Sequence, residues 1–275
     1  MTFQTTAARQ RNEAHAGDAP SKAYELLARA GFVARGLIYA IIGYFAIKVA
    51  VNGTGQTKGQ RGALATIAHQ PAGKVLLILV AIGLAGYAFW RLTHAVRGHG
   101  PEKSDDNLDR LAAAGSGVAY LGMLAIAIEV LTGSGGNTGS SQKTTAGVLG
   151  WPGGPWLVGL AGLVLIGVSI YQAYRGLTRD FLKDSKTAEM GLNVRRWVEW
   201  IGAFGHLARA VVFALVGVFL IKAAIEYDPS KAVGVDGALA KLAGASYGPA
   251  LLGIVAAGLI AFGIYSLSDA RYRRI

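Results

Sequence analysis

The chain has 275 residues, of which 52% are hydrophobic and only 16% charged, and its mean hydropathy is positive. That balance is too apolar for an ordinary soluble domain of this length. The formal net charge is +11 and cysteine is absent, which excludes disulfides, thiol catalysis, iron–sulfur clusters and CxxCH haem attachment.

Met1 to Ser21 is polar and lacks the apolar core and small-residue cleavage site of a secretory signal. Residues 1–21 are expected to form a disordered tail on the cytoplasmic side, ahead of a first span that acts as an uncleaved signal anchor. Six apolar runs follow: Phe32 to Val51, Val75 to Leu92, Leu111 to Leu131, Trp156 to Tyr174, Ile201 to Ala224 and Pro249 to Ser268. Each is long enough, or nearly so, to cross a hydrocarbon core of about 30 Å. Val75 to Trp90 carries no charge, whereas a barrel strand would alternate apolar and polar residues. In lipid, such a run satisfies its backbone only as a helix. Many of the 39 glycines fall inside these runs, which predicts close helix packing, with a hinge role as the alternative.

Before each odd run the pattern is amphipathic, as at Ala23 to Arg29, and predicts a helix that enters from the interface. The loops after odd runs echo each other at Gly62 to Ala68 and Gly237 to Ala243, with a looser copy at Ala146 to Leu149; short surface helices are predicted there. Gly133 to Ser141 has flexible linker composition. It is not a phosphate loop, since no strand precedes it and no GKS or GKT follows.

The chain repeats itself. Gly31, Ala34, Arg35, Gly43 and Lys48 return 174 positions later as Gly205, Ala208, Arg209, Gly217 and Lys222. An acidic residue stands six before a glycine three times: Glu25 and Gly31, Asp109 and Gly115, Glu199 and Gly205. The even runs end in Gly83, Tyr87, Trp90 and Arg91, in Gly167, Tyr171, Tyr174 and Arg175, and in Gly258, Phe262 and Tyr265. Three repeats result, at 22–98, 106–178 and 196–275. A three-residue shift of the middle copy instead aligns Ser116, Gly117, Tyr120 and Glu129 with Arg35, Gly36, Tyr39 and Lys48. Two spans per repeat mean that all three enter from one side, as parallel repeats. The predicted fold is an all-α polytopic membrane protein with six transmembrane helices, three tandem helical hairpins around a pseudo-threefold axis normal to the membrane.

Nineteen of the 27 Lys and Arg residues lie on the side of the termini, six lie in the alternate loops, and Lys48 and Lys222 lie within spans. By the positive-inside rule both termini are cytoplasmic. The basic balance then describes a surface facing anionic lipid rather than nucleic acid, since no basic stripe is interleaved with aromatics.

These units, with Ala34 to Tyr39 and Leu207 to Ala210 at the odd-helix starts and the glycine-to-tyrosine-to-arginine endings, resemble a bacterial membrane-protein family catalogued as domain of unknown function 1206. The resemblance runs from about Lys22 to Arg273 and implies three two-helix repeats in a bacterial inner membrane. It lends no activity and no catalytic residues, and repeat two departs from it by lacking the starting arginine.

Charges within spans point to function. Lys48, Glu129 and Lys222 at one depth would form an ion-pair ring or line a solute path. Lys48, however, lies about 140° round its helix from Gly43, on the bulkier face, which favours snorkelling to the nearby interface. At the inner interface Glu25, Arg35, Arg91, Asp109, Arg175, Glu199 and Arg209 form a candidate collar. Pairing between repeats and contact with phosphate headgroups is its simplest reading; a specific site for an anionic lipid or partner is the other. His94 and His206 sit at helix ends, which disfavours a bis-histidine haem. No HExxH or GxSxG motif and no paired intramembrane aspartates occur. No cofactor, metal or catalytic residue is therefore expected. The expected function is a non-enzymatic membrane interaction or lipid-organising protein binding membrane lipids by their anionic headgroups; the alternative is a small channel or transporter using Lys48, Glu129 and Lys222.

Overall fold

The computed structural model describes residues 22–53, 55–97, 107–133 and 140–274. The tail 1–21 and most of the linker, 134–139, lie outside the described residues. Nine α-helices occur among the described residues: α1 (Lys22–Asn52), α2 (Gln60–Ala68), α3 (Gly73–Arg97), α4 (Asn107–Thr132), α5 (Ser140–Leu149), α6 (Gly154–Thr178), α7 (Leu192–Glu226), α8 (Val235–Ala243) and α9 (Gly248–Tyr272). Six of them, α1, α3, α4, α6, α7 and α9, are apolar and long enough to cross a membrane. The amphipathic starts of α1 and α7 are not separate interfacial helices. They are the first turns of continuous helices of 31 and 35 residues. Ser140 and Ser141, expected in the linker, begin α5.

One turn recurs where each short helix leads into an even span. Ala72, Gly153 and Tyr247 adopt left-handed backbones (φ 58°, 79° and 58°). Each is followed by a glycine, Gly73, Gly154 or Gly248, on which a methyl group would overlap carbonyl oxygens of the preceding short helix. Only glycine fits there, and Pro155 and Pro249 then open α6 and α9 with a preset φ. These glycines are spaced 81 and 175 positions from Gly73.

The same spacing governs helix packing. Around the bundle the helices follow the order α4, α3, α1, α9, α7, α6. Each even helix thus packs on the odd helix of another repeat, α3 on α4, α6 on α7 and α9 on α1. Within repeats, α1 packs on α3 and α7 on α9. By contrast, α4 and α6 of the middle repeat form no packed pair among the described residues. Matching that order, 22% of each of α4 and α6 is buried, against 39% to 56% of the other spans.

The interfaces between repeats are near copies. A methyl on Gly43 of α1 would lie 2.8 Å from Ala256 O of α9, and one on Gly217 of α7 would lie 2.9 Å from Gly162 O of α6. Gly36 meets Leu267, and Gly117 meets Leu92. These pairs align only with an offset of 81 for the whole middle repeat. Tyr39 and Tyr120 are each 7% exposed, and Ala46 and Ala127 are both fully buried. The three-residue shift is therefore the register of α4. The alignment of Gly167, Tyr171, Tyr174 and Arg175 with Gly83, Tyr87, Trp90 and Arg91 is corrected: their counterparts are Gly86, Trp90, Thr93 and His94.

Candidate functional site

At the end of the bundle where α1 starts and α9 ends, each interface between repeats carries an arginine at one level. Between α1 and α9 it is Arg35, which donates to Ser266 Oγ at 3.0 Å. Between α7 and α6 it is Arg209. With the Gln172 amide turned so that its oxygen faces the guanidinium, it accepts from Arg209 at 2.9 and 3.2 Å while its nitrogen donates to His206 Nδ1 at 2.8 Å. Between α4 and α3 the arginine has changed sides: Ser116 stands at the place of Arg35, and Arg91 stands at the place of Ser266. The arginine missing from the start of repeat two is thus supplied by the neighbouring helix.

One turn nearer the termini, the equivalent even-helix positions are His94, Arg175 and Asp269. Here the charges join into a chain. Arg35 donates to Asp269 Oδ2 at 2.7 Å and to the Tyr87 hydroxyl at 3.2 Å. Asp269 also faces Arg273 at 3.4 Å, Arg273 reaches Asp184 at 3.1 Å, and Asp184 accepts from Arg175 at 2.7 Å. Burial works against the Arg273 charge, yet Asp184 and Asp269 hold its pKa above the usual guanidinium value. Arg35 is wedged between the rings of Phe32 and Phe262, at 4.9 and 5.1 Å, which desolvates the cation while the ring faces stabilise it.

Two guanidinium groups have no carboxylate partner among the described residues. Arg209 lies over Phe262, Phe213 and Tyr39 at 4.3, 5.0 and 5.1 Å, and Arg91 lies over Trp90 at 5.6 Å. Among the described residues, five guanidiniums (Arg35, Arg91, Arg175, Arg209 and Arg273) therefore share two carboxylates, Asp184 and Asp269. An excess of cations in a low-dielectric setting favours an anion.

The segment joining α6 to α7 seals this end. Phe181 is fully buried, stacked on His206 at 5.1 Å and edge-on to Tyr265 at 5.1 Å. Backbone bonds from Lys186 N to Tyr272 O (2.7 Å) and from Arg274 N to Asp184 O (3.0 Å) strap the segment to the end of α9. Asp184 is thereby held where Arg175 and Arg273 converge.

Of the seven collar residues, Arg35, Arg91, Arg175 and Arg209 gather here, Arg35 buried and the other three half-buried. The acids do not join them. Glu25 pairs with Arg29 at 2.5 Å, and Glu199 lies 3.8 Å from both Arg179 and Arg195. Ten residues separate Glu25 from Arg35, about 15 Å of helix, too far for one side chain to span. The side chain of Asp109 lies outside the described residues. Asp184, Asp269, Arg273 and Gln172 were not among the sequence candidates. Asp269 stands one residue past the apolar run that ends at Ser268, so hydropathy discards it, although it occupies the helix turn after Ser266.

Lys48, Glu129 and Lys222 share a level in the corrected register but do not meet. Lys48 is exposed beside Tyr44, Glu129 pairs with Arg61 of α2, and Lys222 lies 3.7 Å from Glu226.

Fold and site together define a polytopic helical membrane protein of tandem hairpins, closed at one end by a guanidinium–carboxylate chain. Residues 30–98, 111–179 and 204–273 match the family described as Domain of Unknown Function (DUF1206), and the chain belongs to that family. The starts of these segments are spaced by 81 and 174, the register found in the packing. The chain is also similar to Uncharacterized protein YxxB of Bacillus subtilis (strain 168), 34% identical over 250 residues covering 90% of each. No solved structure matches the chain.

Proposed function

We propose that this is a non-enzymatic, lipid-organising protein of a bacterial inner membrane, with both termini cytoplasmic and the arginine layer binding anionic headgroups from the cytoplasmic leaflet. The observation that carries the reading is the imbalance, among the described residues, of five guanidiniums against two carboxylates, with Arg91 and Arg209 lacking a carboxylate partner there. Phosphate oxygens match the guanidinium fork and supply the missing charge. The concentration of Lys and Arg on the same side fits an anionic leaflet. One arginine per interface between repeats fits hairpins arranged about a pseudo-threefold axis. The channel or transporter reading has less support, because Lys48 is exposed, Glu129 pairs with Arg61 and Lys222 lies beside Glu226, each with a separate neighbour.

The test is native mass spectrometry of the full chain released from nanodiscs of mixed phosphatidylglycerol and phosphatidylcholine. The wild type retains phosphatidylglycerol preferentially, and the Arg91→Gln, Arg209→Gln variant loses that preference. Equal retention of both lipids by the wild type would sink the proposal.

A further inference from the structure

The middle repeat keeps its two spans apart, and its sequence explains why. In the first repeat a methyl on Gly31 would lie 2.7 Å from Gly83 O, and one on Gly83 would lie 2.8 Å from Ala30 O. In the third, a methyl on Gly205 would lie 2.7 Å from Phe262 Cβ. Both hairpins close on bare glycine backbone. At the positions of Gly31 and Gly83 the middle repeat has Ala112 and Val164. Closure in the same geometry would drive these side chains into backbone, so the seam is built open.

What lines the seam is apolar and uncovered. On α4, Ala112, Gly115 and Ala119 are exposed, whereas Ile38, the counterpart of Ala119, is fully buried. On α6, Val164 is 56% exposed and Tyr171 42% exposed, and no heavy atom lies within 4 Å of a methyl built on Gly115 or Gly167. The seam does not end in apolar surface. At its terminal end Arg175 lies over the Tyr171 ring at 5.8 Å, and while its Nη2 donates to Asp184, its Nε has no hydrogen-bond partner among the described residues.

We infer that an anionic diacyl phospholipid occupies the seam between α4 and α6, an acyl chain against Ala112, Gly115, Val164 and Gly167, and the phosphate at Arg175. This rests on the headgroup reading above and adds to it a defined lateral site. An acyl chain fills an apolar groove that small side chains leave shallow, and the phosphate meets a guanidinium already oriented by Asp184.

The experiment measures retention of dioleoyl phosphatidylglycerol and dioleoyl phosphatidylcholine by native mass spectrometry for the wild-type chain, Gly167→Trp, Val164→Trp and Arg91→Gln, Arg209→Gln. A side chain at position 167 starts in open space and that of Val164 is 56% exposed, so the indoles are placed to crowd the seam, and two seam variants guard against one that fails to fold. The expected result is about a tenfold loss of apparent phosphatidylglycerol affinity in each seam variant, with a smaller effect on phosphatidylcholine. Unchanged phosphatidylglycerol retention in folded seam variants, with loss in the double arginine variant, would overturn the seam and leave the headgroup reading standing. Loss in neither would overturn both. Equal loss of both lipids would overturn an anionic occupant, and a dimer that the indoles convert to monomer would make a second copy the occupant instead.

Discussion

Asp269 is the residue on which the arginine layer most depends, and Asp269→Asn isolates its charge with little change of shape. The carboxylate is nearly fully buried, with Arg35 at 2.7 Å and Arg273 at 3.4 Å. Charge centres about 4 Å apart at an effective dielectric of about 20 attract by about 4 kcal/mol, in line with the roughly 3–5 kcal/mol lost when a buried pair is broken from one side. Asparagine leaves Arg35 buried between two rings without a counterion, so the variant is expected to melt about 10 °C lower in detergent. The companion Arg35→Gln, Asp269→Asn removes both charges and is expected to recover most of that loss, within about 1 kcal/mol of the wild type. Differential scanning fluorimetry of the wild type, both single variants and the double variant closes the cycle. A single variant that melts with the wild type, or a double variant that loses the sum of both singles, would refute the account of Asp269 as the counterion.

Gly43→Leu should destabilise by about 1–3 kcal/mol, because its side chain would meet Ala256 O and Ile260, whereas Gly122→Leu, exposed and in open space, should stay within about 0.5 kcal/mol of the wild type; equal melting temperatures would contradict the packing order. Phe181→Ala should cost about 3–5 kcal/mol and expose the segment between α6 and α7 to limited proteolysis, and a protected segment would show that Phe181 is not its anchor. Proteoliposomes of the wild type and of Glu129→Gln should show the same ion flux as empty vesicles, and a flux that the substitution abolishes would restore the channel. Because the chain has no cysteine, single replacements Lys183→Cys and Lys241→Cys can be labelled one at a time with an impermeant maleimide; Lys183→Cys should react only from the cytoplasmic side and Lys241→Cys only from the other, and the reverse pattern would invert the proposed orientation.

The spans, the short helices between them and the first-to-third repeat were legible because each is written in local pattern: apolar length, recurring glycine and a fixed offset of 174. The middle register was harder. Gly167, Tyr171 and Arg175 reproduce the spacing of Gly83, Tyr87 and Arg91 by a slip of three residues, close to one helical turn, so the motif matches while its members face different neighbours. Gly73, Gly154 and Gly248 would have fixed the register, since their turn tolerates no side chain. The counterions stayed hidden for a different reason. Arg35 and Asp269 are 234 positions apart, and only the packing of α1 on α9 brings them together. Asp184 lies in a polar connecting segment, and nothing in its local sequence announces that Phe181 carries it against the bundle.

The open seam falls in the repeat where opening disrupts the bundle least. With helices in the order α4, α3, α1, α9, α7, α6, every span but the two at the ends has neighbours on both sides. Parting α1 from α9 would break the Arg35–Asp269 pair, and parting α7 from α9 would unseat the rings that hold Phe181 and Arg209. Parting α4 from α6 separates no ion pair among the described residues: α4 remains on α3 through Gly117 and Tyr120, and α6 remains on α7 through Gly162 and Ser169, whose hydroxyl donates to Ala210 O at 2.8 Å. The contacts between repeats are thus kept three times over, while one hairpin within a repeat is released. Among the described residues the middle repeat is the one whose own interface carries no counterion, and it has Ala112 and Val164 in place of Gly31 and Gly83 and its arginine at Arg91.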